Sequence, residues 1–98
     1  MSSLEKSIAD SEIIALKALE FVIANKDLQT KFLSSSGMSP KTIQNSIQDL
    51  NFLVGVLDFL LSNEEGLVKF CKTNQLDPNQ PSIARKSLEE LEKNETNP

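Results

Sequence analysis

Apolar residues recur along this chain at helical spacing. Between Ile13 and Ala24, the residues Ile14, Leu16, Leu19, Phe21, Val22 and Ile23 crowd the segment, while Lys17, Glu20 and Ala24 leave a narrow, weakly polar stripe. That pattern predicts a helix covered on most of its circumference. Leu28, Phe32 and Leu33 give a second, more polar segment one apolar face. Asn25 before it fits an N-cap, with Asp27 near the positive end of the helix. Gly37-Met38 predicts a Schellman stop, in which the glycine turns left-handed and the next side chain packs back. Ser39-Pro40 restarts the chain as N-cap and first helical residue, and Ile43, Ile47 and Leu50 continue at helical spacing.

The second half repeats these signals. Phe52–Leu61 is apolar on nearly every side and is expected to be the buried centre. Gly55 within it is read as allowing a neighbouring helix to approach closely, at some cost in helix propensity. Asn63 with Glu64 and Glu65 predicts a helix start, followed by Leu67, Phe70 and Cys71 facing inward. Asn74-Gln75-Leu76 stands where the first half has its glycine stop, and Asp77-Pro78 repeats the N-cap pair. Pro81 is expected to delay the last helix to about Ser82, with Ala84, Leu88 and Leu91 on its inner face. At the other end, Leu4 and Ile8 extend the first helix backwards or Asp10-Ser11 starts it afresh; the pattern allows both. Residues 1–10 and 94–98 are expected to fray. No segment alternates with period two, so no strand is expected.

Sliding the sequence against itself by 38 positions exposes a repeat. Leu19 falls on Leu57, Phe21 on Phe59, Asn25 on Asn63, Lys31-Phe32 on Lys69-Phe70, and Pro40 on Pro78. The offset holds from Leu19 to Pro40 without a gap. The expected fold is therefore all-α, a compact bundle of about five to six short helices. It is built from two pseudo-symmetric 38-residue repeats, about 13–50 and 51–93, in one domain spanning 1–98. Two repeats are too few for an open solenoid, so a closed bundle in which each copy covers the other is favoured.

Composition narrows the chemistry. The chain has 98 residues, 39% of them apolar, which suits one core. It has no histidine, the side chain best suited to proton transfer near neutral pH. Its single cysteine, Cys71, excludes an internal disulfide and a Cys-rich zinc cluster. Trp and Tyr are absent, and the net charge is −4 with basic residues scattered; Arg85-Lys86 is the one adjacent basic pair. This balance disfavours nucleic-acid binding. The longest apolar run, Phe52–Leu61, contains Asp58 and is half the roughly twenty residues a membrane span needs. Residues 1–6 show no secretory pattern. The expected location is the cytoplasm, with Cys71 reduced.

Few residues stand out as chemical candidates. Cys71 has Leu33 as its counterpart and no histidine to activate it, so it reads as core. Glu20 and Asp58 form the pair of interest: both are acidic, both lie in the most apolar helix of their copy, and the repeat equates them. They read first as a thin solvent-facing stripe. The sharper alternative is that each caps a helix or pairs with a lysine at the seam between copies. Glu64-Glu65 and the acidic run Glu89–Glu95 read as helix-start partners and a solvated face. No catalytic residue, metal ligand set or cofactor motif is expected.

Certain segments resemble a known family. They are Ala15–Phe21, then Phe32-Leu33 followed by Gly37-Met38-Ser39-Pro40. Phe52–Leu61, with its Val-Leu-Asp-Phe-Leu-Leu core, and Phe70-Cys71 with Leu76-Asp77-Pro78 complete the set. This set is similar to the domain-of-unknown-function family numbered three thousand five hundred and seventy-two, seen mainly in alphaproteobacteria. The similarity runs from about Ser11 to Leu91. The Lys-, Asn- and Ser-rich surface differs from Ala- and Arg-rich members. The resemblance implies a short cytoplasmic bacterial protein and carries over no activity, cofactor or catalytic residue.

The leading functional expectation is a non-enzymatic protein–protein interaction module, acting on another protein or on itself. Met38, Leu76 or the Leu4–Ile8 segment would form its contact patch if exposed. The alternative is a small-ligand-binding protein or enzyme with a pocket between the repeats, using Asp58 or Glu20. Nucleic-acid binding through the Gly37–Pro40 turn comes last, since the helix after it offers one positive charge, Lys41.

Overall fold

The computed structural model describes residues 3–96, with side chains described for residues 10–91 and for Lys93. It contains six helices: α1 (Ser3–Ala24), α2 (Lys26–Ser36), α3 (Pro40–Ser46), α4 (Leu50–Leu61), α5 (Glu64–Asn74) and α6 (Gln80–Thr96). The described residues contain no strand. The fold is an all-α bundle with a radius of gyration of 13.2 Å, the value expected for about 100 compactly folded residues.

Three helices form the middle of the molecule. α1, α4 and α6 pack on one another, α2 lies against α1, and α5 lies against α4. The apolar pattern explains why α4 is central. Leu50, Leu53, Val54, Val56, Leu57 and Leu60 are all buried on its one short length. Ala15, Ala18 and Val22 of α1 and Ala84 and Leu88 of α6 close over it, the small alanines admitting close helix contact. Five phenylalanines stitch the outer helices to the centre. Phe21 of α1 meets Phe70 of α5 edge-on at 5.6 Å, and Phe59 of α4 meets Phe32 of α2 at 5.2 Å. Phe52 approaches the same Phe32 at 6.1 Å.

The helix ends follow local chemistry. Asn25 Oδ1 accepts a hydrogen bond from Leu28 N at 3.2 Å, and Asn63 Oδ1 accepts one from Gly66 N at 2.9 Å. Those two caps start helices of 11 residues each, and both helices end in a left-handed residue, Gly37 and Gln75. The match in length at a spacing of 38 is confined to these second helices, for α1 and α4 have 22 and 12 residues and α3 and α6 have 7 and 17.

Several boundaries differ from the sequence reading. α1 is continuous from Ser3, so Asp10-Ser11 does not start it afresh; the side chains of Leu4 and Ile8 lie outside the described residues. Leu16 is exposed rather than core. Leu50 opens α4 behind an Asp49 cap instead of ending α3, because Asp49 Oδ1 accepts from Asn51 N at 3.0 Å. α6 begins at Gln80, ahead of Ser82. Gln80 Oε1 accepts from Asp77 N while Asp77 Oδ1 accepts from Asn79 N, a reciprocal turn that launches the helix. Pro81 then sits in the first turn, where its missing N–H costs nothing, and its ring is fully buried.

The stop motifs are exchanged as well. Gly37 makes the simpler single bond, its N–H donating to Leu33 O at 2.9 Å. Around Gln75, Leu76 N donates to Cys71 O at 2.8 Å and Gln75 N to Lys72 O, which is the two-bond Schellman arrangement. Met38 and Leu76 both pack half-buried against the core, so neither stands out as a patch of its own.

Candidate interaction groove

Two glycines decide where the surface opens. Gly66 sits where a β-carbon would meet Asn63 Oδ1 at 3.1 Å and Leu28 Cδ1 at 3.3 Å. It is therefore the glycine that lets two elements close up, joining the first turns of α2 and α5. Gly55 has no such neighbour: a β-carbon there would meet nothing within 4 Å. The expectation that Gly55 admits a neighbouring helix of this chain is thus corrected. It faces solvent, at the floor of a groove between α2 and α4.

That groove encloses about 630 Å³. Phe52 and Phe59 lie three residues before and four after Gly55, on the same face of α4. Phe32 and Met38 form the apolar wall from α2 and its following turn, with Lys31 and serines at the rim. The serine hydroxyls are turned to their own backbone, Ser35 Oγ donating to Phe32 O and Ser62 Oγ to Phe59 O. The lining is therefore aromatic at the floor and small at the edge.

Asp58 stands on the opposite rim. Arg85 of α6 grips it from the side, with Nε donating to Oδ1 at 2.6 Å and Nη2 to Oδ2 at 3.3 Å. Arg85 also pairs with Glu89 at 3.0 Å. The hydrogen bond to Asp58, more than the partial burial that opposes it, raises the guanidinium above its ordinary pKa. The carboxylate thus pairs with an arginine inside the second half of the chain, not with a lysine between halves.

Glu20 takes no part in this arrangement and lines a different cleft. It is exposed and without an ion pair among the described residues, on the lip of an apolar cleft of about 360 Å³ with Ile23, Ile43 and Ile47. The structure does not bring Glu20 and Asp58 together. Cys71 is buried, its Sγ 4.0 Å from Asp77 O, and burial followed by the Asp77 charge pushes its thiol pKa up. A thiol held protonated is a poor nucleophile. No cluster of three or more Cys, Asp or Glu side chains is arranged to hold a metal ion among the described residues. No helix among them is long and apolar enough to cross a membrane.

The sequence reading missed Lys31, Phe52, Phe59 and Arg85 as a set. The repeat carried a usable signal. At the offset of 38, Gly55 corresponds to Lys17, and a lysine position is a solvent position. Arg85 likewise corresponds to Ile47, so only the second half holds its acidic residue with a cation.

No curated protein and no solved structure matches this chain. One family does match, over residues 8–90, and this span contains α2–α5 whole with most of α1 and α6, including every groove residue named above. The chain therefore belongs to the family described as Protein of unknown function (DUF3572).

Proposed function

We propose that this protein is a non-enzymatic protein–protein interaction module working in the cytoplasm. The observation that carries the reading is the solvent-open, phenylalanine-floored groove over Gly55. A mid-helix glycine at an exposed position weakens α4 and is matched by no internal contact, as expected where the surface is kept clear for a partner. The groups best placed for chemistry are engaged elsewhere: Asp58 is held by Arg85 and the Cys71 thiol is buried. The net charge of −4 argues against a nucleic-acid partner.

The test is affinity purification of the tagged protein from its native cells against an untagged control, followed by reconstitution from purified components. A stoichiometric protein partner that rebinds in the purified mixture is the expected result; self-association meets the same reading. Recovery of a monomer with no partner overturns it. A second reading is small-ligand binding in the same groove, favoured by its volume, which falls in the range of ligand sites. Its open shape and its apolar floor and wall favour a larger occupant.

A further inference from the structure

We infer that the α2–α4 groove receives one amphipathic helix of a partner protein, crossing over Gly55 and presenting a carboxylate to Lys31. The inference rests on the interaction reading and adds the occupant. The walls themselves limit what can bind. Both are α-helices whose backbone groups are spent on their own hydrogen bonds, so an extended peptide finds no edge to pair with. A helix satisfies its own backbone and needs only side-chain contact. The groove offers what such a helix needs. Phe52 and Phe59 are two turns apart, about 10 Å along α4, which matches anchors at i, i+3 or i+4 and i+7. Between them Gly55 presents no side chain, so the visiting backbone can come close at the crossing.

Charge sets the chemistry of the visitor. Asp58 has both oxygens engaged by Arg85. Lys31, on the facing rim, has no ion pair among the described residues. The charge left to meet a partner is therefore positive, although the whole chain is acidic. A second copy fits less well, since a two-fold axis over Gly55 would leave two Lys31 ammonium groups facing an already satisfied carboxylate.

The experiment is a selection of displayed 18-residue helix-forming peptides against the purified full chain. Affinities of the winners are then measured by fluorescence anisotropy on the wild type, Gly55→Leu, Gly55→Lys and Lys31→Glu. The expected winners are amphipathic helices bearing Asp or Glu beside the apolar stripe. Both Gly55 variants should weaken them by at least about tenfold, and Lys31→Glu should reverse their charge preference. Circular dichroism melts check that both Gly55 variants fold. Winners indifferent to Gly55, winners without the acidic residue, or no winners at all overturn the inference. So does a dimer of the chain that Gly55→Leu dissociates, which would assign the groove to a second copy. Each of these outcomes leaves the interaction reading to its own co-purification test.

Discussion

Gln75 stands 38 residues after Gly37 and shares its left-handed backbone, at φ 55° and ψ 45° against φ 70° and ψ 16°. Both end an 11-residue helix. Glycine adopts this region without penalty, whereas a residue with a β-carbon is strained there by roughly 1 kcal/mol. Gln75 holds the conformation because the Schellman bond from Leu76 N and the half-buried Leu76 side chain fix it from the following residue. Gln75→Gly should therefore raise stability by about 1 kcal/mol, and Gly37→Ala should lower it by a similar amount. Urea unfolding at constant m-value reads both. A destabilised Gln75→Gly would mean that the glutamine side chain makes a contribution larger than the strain.

The other two glycines give opposite expectations. At Gly55 a methyl group meets open space, so Gly55→Ala should gain the helix-propensity difference of about 1 kcal/mol. At Gly66 the same methyl would press on Asn63 Oδ1, the atom that caps α5 through Gly66 N. Gly66→Ala should fall short of Gly55→Ala by about 1 kcal/mol, the worth of a disturbed N-cap. Thermal melts of the two variants side by side check the difference. Equal gains would show that Asn63 yields without loss.

The legible part of this fold is the part governed by local rules. Asn25, Asn63, Gly37 and Ser39-Pro40 act through hydrogen bonds to residues three or four positions away, and each marks a helix end as the sequence implies. The misread boundaries depend on competition between neighbours. Leu50 suits either helix by spacing, and the Asp49 cap decides it. Pro81 is a breaker unless it falls in a first turn, which the Asp77–Gln80 bonds arrange. The groove was illegible for another reason. An apolar run such as Phe52–Leu61 gives no period from which to read its open side, and Gly55 reads as close packing or as open space until the neighbouring helices are placed.

The pair Asp58–Arg85 joins α4 to α6 across the surface, with the two side chains 50% and 30% exposed. At such exposure Coulomb attraction is largely offset by solvent and side-chain entropy. A double-mutant cycle through Asp58→Ala and Arg85→Ala should give a coupling below about 1 kcal/mol, smaller still in 1 M salt. Arg85 also meets Glu89, so Glu89→Ala should alter the coupling measured at Asp58. A coupling above about 2 kcal/mol that salt leaves unchanged would contradict this account.

Cys71 gives the fold a specific response to alkali. Its thiol pKa is raised in the folded protein, first by burial and then by the Asp77 charge. In the unfolded chain the same thiol ionises near pH 8.5. Below that pH both states hold the proton, and the contribution to stability is constant. Above it the unfolded state releases the proton while the folded state keeps it, so stability falls as pH rises toward the raised folded value. Cys71→Ala removes this dependence at the cost of a small cavity, about 1 kcal/mol at neutral pH. The stability gap between wild type and Cys71→Ala, measured by urea unfolding under reducing conditions, should therefore be constant up to about pH 8 and narrow above it. Parallel curves through the alkaline range would show that the thiol ionises equally well in both states, and that burial beside Asp77 does not hold its proton.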